Sequence, residues 1–363
     1  MRTPSFASYI LFALVALAGC STSGAPSRSP AAPSVVERVS PPVEGFYGKR
    51  IPGALPILAH ADVSDEAMLG ARARLTRVLA RAPRLRANLE AARAELHVVG
   101  MRQLASDLPE LREQRGARLD TGELFDHHMV GGHLAGRVVS CTEATLLPIV
   151  GHALFGDDPC LHELGHLVHH VGMARAARAA VADAYARAKS AGRWDGRYAS
   201  KDVAEWFAEV TKYYFRPGEA ALAVYDAELA HGHAWLAEYD PIAYAFADDV
   251  YSGRFDPGAT ARVPVALRSG HEESTLKSAG SERQVNVLVR NRTKRRVRAT
   301  WLGFDGERDR REGIASTAAP GGEVELYTFT GHAFVVLDEA GSALCTFVAG
   351  EEDGVVELRG GCP

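Results

Sequence analysis

The sequence predicts an α+β protein in two parts. A mainly helical domain runs over about Phe46 to Asp256, and an all-β sandwich covers about residues 262–363. Three patterns carry this. Ala-, Leu- and Arg-rich stretches from Glu66 to Ser190, with an aromatic stretch after Lys201, have helical periodicity. Two short apolar runs among them, Glu95–Gly100 and Arg137–Cys141, read as strands. Beyond Arg262 the spacing changes to every second residue, as in Val285, Val287 and Val289 and again in Val297, Ala299 and Trp301.

At 363 residues, 47% hydrophobic and 24% charged, the chain is globular and long enough for two domains. A formal net charge of −4 gives no bulk attraction for nucleic acid, and no such partner is expected. The N-terminus reads as a targeting segment. Arg2 supplies a positive start, and the apolar run Tyr9–Ala18 is too short to span a bilayer. It ends in Leu17-Ala18-Gly19-Cys20, which resembles a bacterial lipoprotein signal cleaved just before the cysteine. The resemblance implies that residues 1–19 are removed and that Cys20 carries the lipid. The mature protein would then sit in the cell envelope, at the outer membrane or cell surface. From Ser21 to about Gly45 the chain is rich in Ser, Pro and Ala and reads as a tether without fold. No later stretch is long and apolar enough to cross a membrane.

Four further cysteines remain: Cys141, Cys160, Cys345 and Cys362. In an oxidising compartment an even number suggests disulfides. Three pairings are possible, and the local one, Cys141–Cys160 with Cys345–Cys362, keeps each bridge inside one domain. Thiolate ligation of zinc lacks any Cys-x-x-Cys spacing.

In chain order, Glu66–Arg93 reads as two helices separated at Pro83. Met173–Ser190 reads as another Ala-rich helix. Ser200 is a plausible N-cap for a buried aromatic helix reaching Phe215. A further aromatic helical region covers Ala220–Tyr251 and restarts at Asp240-Pro241. Ser252–Thr260 is a Gly- and Pro-bearing connection. In the β part, Asn291–Lys294 is a turn, and Leu326–Phe329, Ala333–Leu337 and Leu344–Val348 are strands. The basic run Arg290–Arg296 fits a solvated hairpin turn.

The chemistry gathers at Leu161-His162-Glu163-Leu164-Gly165-His166. On a helix, His162 and His166 share one face, one turn apart. Two imidazoles so placed can bind one zinc ion, and Glu163 can take a proton from a water beside them. A catalytic zinc needs a third ligand and an open position. Glu205 and Glu209 lie four apart on the aromatic helix, where carboxylates need a partner. Tyr198, just ahead of that helix, can supply a hydroxyl to a developing oxyanion. His169 and His170 read as helix-surface residues, and Val138–Cys141 as a candidate edge strand for pairing with an extended substrate.

His-Glu-Leu-Gly-His followed by Tyr198 and Glu205-Trp206-Phe207-Ala208-Glu209 resembles the catalytic domain of anthrax lethal factor and its zincin relatives. That family includes secreted peptidases that cut between prolines. The resemblance covers about Cys160–Phe215. It implies His162, His166 and Glu205 as zinc ligands and Glu163 as general base. It also implies Tyr198 assisting the transition state and Glu209 supporting the ligands from behind.

The β part has its own resemblance. Asn291-Arg292-Thr293, Trp301–Glu307 and Phe329–Phe334 are similar to the β domain of the von Hippel–Lindau tumour suppressor, over about Leu267–Val348. That domain recognises a hydroxyproline-bearing peptide. Trp301, Thr328 and His332 fall at pocket positions, Phe334 replaces a second Trp, and Arg311 stands about where the family has a Tyr. The family's helical domain is absent, so no ubiquitin-ligase role follows. Together the two resemblances imply a lipid-anchored zinc metalloendopeptidase acting on peptide or protein, with a β-sandwich that binds proline-containing peptide or serves as scaffold. Two rivals are an inactive surface binding lipoprotein and a zinc-dependent amide hydrolase of cell-wall peptide.

Overall fold

The computed structural model describes residues 35–119, 122–129, 131–149, 152, 154–218, 231–281, 283–309 and 316–360. An N-terminal mixed sheet begins with β1 (Glu37–Val43), β2 (Tyr47–Ile51) and β3 (Ile57–His60). Helices α1 (Asp65–Leu79) and α2 (Pro83–Ala91) follow, then β4 (Glu95–Val99). Ser64 caps α1 by accepting from the Ala67 amide at 3.2 Å. Pro83 occupies the first turn of α2, where its missing N–H costs nothing. After 3₁₀ turns at Ala105–Asp107 and Pro109–Gln114 come the single turn α3 (Phe125–His128), β5 (Gly132–Ala135), β6 (Val138–Thr142) and the single turn α4 (Glu143–Leu146). The strand order is β1-β2-β3-β4-β6-β5. β3, β4 and β6 are parallel, and β5 runs antiparallel to β6.

The helical layer continues with α5 (Pro159–Leu167), α6 (Arg175–Ser190), α7 (Val203–Phe215), α8 (His233–Tyr239) and α9 (Pro241–Tyr251). These helices, with α1 and α2, bury one face of the sheet in a core that includes Leu96, Val139, Leu161, Trp206 and Phe207. The opposite face, with Tyr47 and Leu58, is covered by Leu108, Leu111 and Phe125. No helix among the described residues is long and apolar enough to cross a membrane.

The C-terminal part consists of β7 (Val263–Pro264), β8 (Arg268–Ser269), β9 (Gln284–Asn291), β10 (Val297–Leu302), β11 (Thr317–Ala318), β12 (Glu323–Phe329), β13 (Ala333–Leu337), β14 (Ala343–Val348) and β15 (Gly354–Leu358). They form two sheets, β11-β10-β13-β14-β8 and β12-β9-β15-β7. The alternate valines 285, 287 and 289 meet Val336, Phe334 and Phe347 in the core between the sheets. The α+β class expected from the periodicities is the class observed. In the basic run, Arg290 and Arg292 both reach Glu323.

The helical and β parts meet through buried polar contacts. The guanidinium of Arg178 on α6 pairs with Asp353 at 2.5 Å, and both residues are buried. Within the β part, Arg262 makes a two-pronged pair with Glu325 at 2.8 and 3.0 Å.

Four expectations are corrected. The presumed tether carries strand β1 from Glu37, paired with β2; Pro41 and Pro42 hide it, yet proline is tolerated on an edge strand. The cap of α7 is Asp202, whose carboxylate accepts from the amides of Ala204 and Glu205 at 2.9 Å each, while Ser200 belongs to a preceding 3₁₀ turn. Val138–Thr142 is an interior strand between β4 and β5, so the edge is β5. His169 is fully buried and His170 half-buried, because the chain leaves α5 through a widened π turn at Val168–Gly172 that turns both rings inward.

Candidate metal centre

Helix α5 starts where Asp158 accepts from the Leu161 amide at 3.2 Å and Pro159 takes the first turn. Arg74 from α1 grips both Asp158 oxygens at 2.8 Å. Cys141 near the end of β6 is bonded to Cys160, so the sheet and α5 are covalently joined. Cys345 is also disulfide-bonded; its expected partner Cys362 lies outside the described residues, as do Cys20 and Arg311.

Gly165 determines how near α7 can come. A Cβ at this position would sit 2.8 Å from the Ala208 Cα and 2.9 Å from Thr211 Oγ1. The closeness of the two helices brings Glu205 to the histidines. His162 Nε2 and His166 Nε2 are 3.0 Å apart, and Glu205 Oε2 lies 3.1 Å from the first and 3.3 Å from the second. Glu205 Oε2 is buried and accepts no hydrogen bond. Ligands about 2.0–2.1 Å from a tetrahedral metal are separated by about 3.3 Å. Three converging lone-pair atoms at this spacing, one of them buried without a donor, fit a metal ion. They are the group of metal-holding geometry found among the described residues.

The carboxylates around the imidazoles favour positive charge at this point. Burial pulls the His162 pKa down, but Glu205 and Glu209 outweigh it and push it up to about 10. Glu205 is held far below the usual carboxylate range: burial opposes this, and His162 and His166 prevail. A metal ion competes with the proton for the same lone pairs.

Glu209 Oε1 lies 2.8 Å from His162 Nδ1 and 3.0 Å from Lys212 Nζ. Its pKa falls to about 2, with burial resisting and Lys212 and His162 outweighing it. Lys212 also meets Asp157 at 3.3 Å, and Arg216 meets the same Asp157 at 2.8 Å. The Tyr198 hydroxyl donates to Glu205 Oε1 at 3.0 Å, and Lys201 Nζ reaches that oxygen at 3.0 Å. Burial pushes the Tyr198 phenol above its ordinary value.

Glu163 follows the first histidine on the same helix. Burial raises its carboxyl above the ordinary range, against the pull of His166 and His162. Gly132 on edge strand β5 lies against it. A Cβ there would be 2.8 Å from the Glu163 Cγ and 2.4 Å from the Ser140 carbonyl oxygen, and its φ is +153°. No sequence pattern announced Gly132; its closeness to Glu163 appears only when the edge strand is laid over α5.

The aromatic group on the β part is also assembled. Trp301 and His332 have ring centroids 5.3 Å apart, and Thr328 Oγ1 is 2.9 Å from His332 Nδ1. Trp301 Nε1 is buried without a hydrogen-bond partner. Phe334, opposite Trp301 in the β10–β13 pairing, stacks on Phe347 in the sandwich core at 5.2 Å. Trp301, Thr328, His332 and Phe334 border a cavity of about 1460 Å³ whose other wall includes His133 and Arg137 of the β5–β6 hairpin.

The family model for the VHL beta domain matches residues 276–353. The C-terminal segment is therefore similar to that domain in sequence. Comparison with curated proteins finds no match. Among solved structures, the chain is similar to the Pro-Pro endopeptidase PPEP-2 from Paenibacillus alvei. The identity is 20% and the TM-score 0.35, over 54% of this chain and 97% of that one. At that score the likeness lends nothing to the chemistry, which rests on the site itself.

Proposed function

We propose that the protein is a zinc-dependent metalloendopeptidase, lipid-anchored through Cys20 in a bacterial cell envelope. In this reading its β part binds proline-containing peptide through Trp301, Thr328 and His332. The observation that carries the peptidase reading is the convergence of His162 Nε2, His166 Nε2 and Glu205 Oε2 at 3.0–3.3 Å, with Glu163 next in sequence to the first of them. Zinc is the metal favoured by two imidazoles, one carboxylate and a tetrahedral edge length.

The bound ion would supply Lewis acidity, polarising the scissile carbonyl and acidifying water. Glu163 accepts the water proton at its carboxylate and delivers it to the leaving amine. Its raised proton affinity, from burial, suits it to both halves of that transfer. The Tyr198 hydroxyl, 51% exposed as a residue and tied to Glu205, swings to donate toward the oxyanion. Edge strand β5 receives the extended peptide by main-chain pairing.

The test is metal analysis together with peptide-library cleavage on wild type, Glu163→Gln and Glu205→Ala. Wild type should hold one zinc per chain and cleave. Glu163→Gln should keep zinc and lose turnover by about 10²–10⁴-fold or more. Glu205→Ala should lose zinc. Equal activity in wild type and Glu163→Gln would remove Glu163 from the mechanism. Stoichiometric zinc with no cleavage of any peptide would favour a binding lipoprotein, and turnover confined to cell-wall fragments would favour an amide hydrolase.

A further inference from the structure

We propose that the β part sets the position of the edge strand over the metal helix, with Tyr327 and Asn286 as positioning residues for the reaction. The proposal rests on the peptidase reading above for its kinetic consequence, though not for its structural one. Edge strand β5 is paired on one side only, to β6, and the two join at a turn containing Gly136. A strand held on one side can pivot about its partner unless its turn is anchored. Here the anchor comes from the β part. The Tyr327 hydroxyl donates to the Gly136 carbonyl at 2.6 Å. Glu325, two residues earlier on β12, lies against the same turn; a Cβ on Gly136 would be 3.4 Å from its own Cβ. Arg262 fixes Glu325 there.

The same strand pair reaches the other wall of the cleft. The Tyr327 ring lies over His170, with centroids 4.3 Å apart and planes at 32°. His170 in turn stacks on the ligand His166 at 6.0 Å and 27°. Asn286 stands directly opposite Tyr327 in the β9–β12 register, and its Nδ2 donates to the His170 carbonyl at 2.6 Å. The Asn286 amide donates to Asp353 at 2.9 Å, which already holds Arg178 of α6. One cross-strand pair therefore touches both the turn of the substrate-pairing hairpin and the exit of the metal helix. The strand pair therefore ties the hairpin turn and the segment after α5 to one another.

Tyr327→Phe tests this, because it keeps the ring over His170 and removes only the donor to Gly136. The first readout is kinetic. The best-cleaved library peptide is compared with its truncation to two residues on each side of the scissile bond. For the long peptide kcat/KM should fall about tenfold, through KM, while the short one changes less than twofold and zinc content stays at the wild-type level. Equal loss on both peptides, or no loss on either, would overturn the positioning role. The second readout needs no turnover. Hydrogen exchange at the amides of 132–142 should quicken about tenfold in Tyr327→Phe, with 95–99 unchanged, and Asn286→Ala should loosen 168–172. Unchanged exchange at the hairpin would overturn the clamp. A wild type that cleaves nothing would overturn the peptidase reading while the exchange data still decide the clamp.

Discussion

Replacing Glu209 with Gln deletes one charge and nearly no volume behind His162, the first of the proposed metal ligands. With His162 Nε2 committed to a metal, its Nδ1 carries the proton and donates to Glu209 Oε1 over 2.8 Å. A hydrogen bond to a charged acceptor contributes about 1.5–3 kcal/mol and a neutral one about 0.5–1.5 kcal/mol. The amide keeps the neutral bond, so Glu209→Gln should weaken metal binding by about 1–2 kcal/mol, or about 5- to 30-fold. Glu209→Ala loses the acceptor altogether and should cost about 2–3 kcal/mol, or about 30- to 160-fold. Folding stability should suffer less than the about 3–5 kcal/mol of a stranded buried charge, because Lys212 retains Asp157 at 3.3 Å. Competition for zinc against a chromophoric chelator measures the first effect, and urea unfolding the second. If the Gln and Ala variants bind zinc as tightly as wild type, Glu209 does not support His162 and the reasoning fails.

Gly132→Ala would drive a Cβ to 2.4 Å from the Ser140 oxygen and 2.8 Å from the Glu163 side chain; strain of about 1–3 kcal/mol should lower the Tm and reduce kcat/KM at least tenfold, and a variant with wild-type kinetics would refute the close approach. Replacing Cys141 and Cys160 with Ala opens a loop of sequence separation 19; stability should fall by about 3 kcal/mol in urea, with weaker zinc retention, and unchanged unfolding would refute the bridge's role. His97 is buried among Glu110 at 2.6 Å, Glu95 at 3.1 Å and Tyr47 at 2.8 Å. Burial depresses its pKa, but the carboxylates lift it from 6.5 to about 9. A raised pKa stabilises the fold fully below pH about 6.5 and loses that contribution as pH climbs through about 9, here about 3 kcal/mol. Urea unfolding from pH 6 to 10 should show that decline in wild type and not in His97→Gln.

Much of the site was legible because its signals are local. The His162–His166 spacing and the aromatic-acidic pattern of α7 each specify a helix and a face, and of the two glutamates on α7 it is Glu205 that meets the histidines, as the zincin resemblance implies. Strands β4, β6, β9, β10 and β13 were readable from apolar runs and alternation. What escaped was decided by tertiary contact. Strand β1 was masked by its prolines, and β7, β8 and β11 are two residues each, too short for any period. Which strand forms the edge depends on β5 pairing back onto β6, and the tetrapeptide Gly132–Ala135 carries no strong strand signal. His169 and His170 looked like surface residues because regular helical spacing was assumed past Leu167; the π turn breaks it.

The joint at Arg178 and Asp353 limits which modules could ever be exchanged on this scaffold. A foreign sandwich lacking an acid at that place would leave a guanidinium walled off from water with, among the described residues, the Met173 carbonyl alone to meet it. Shuffling by recombination would therefore favour acceptors that bring their own carboxylate, and the two halves are expected to vary together across that seam.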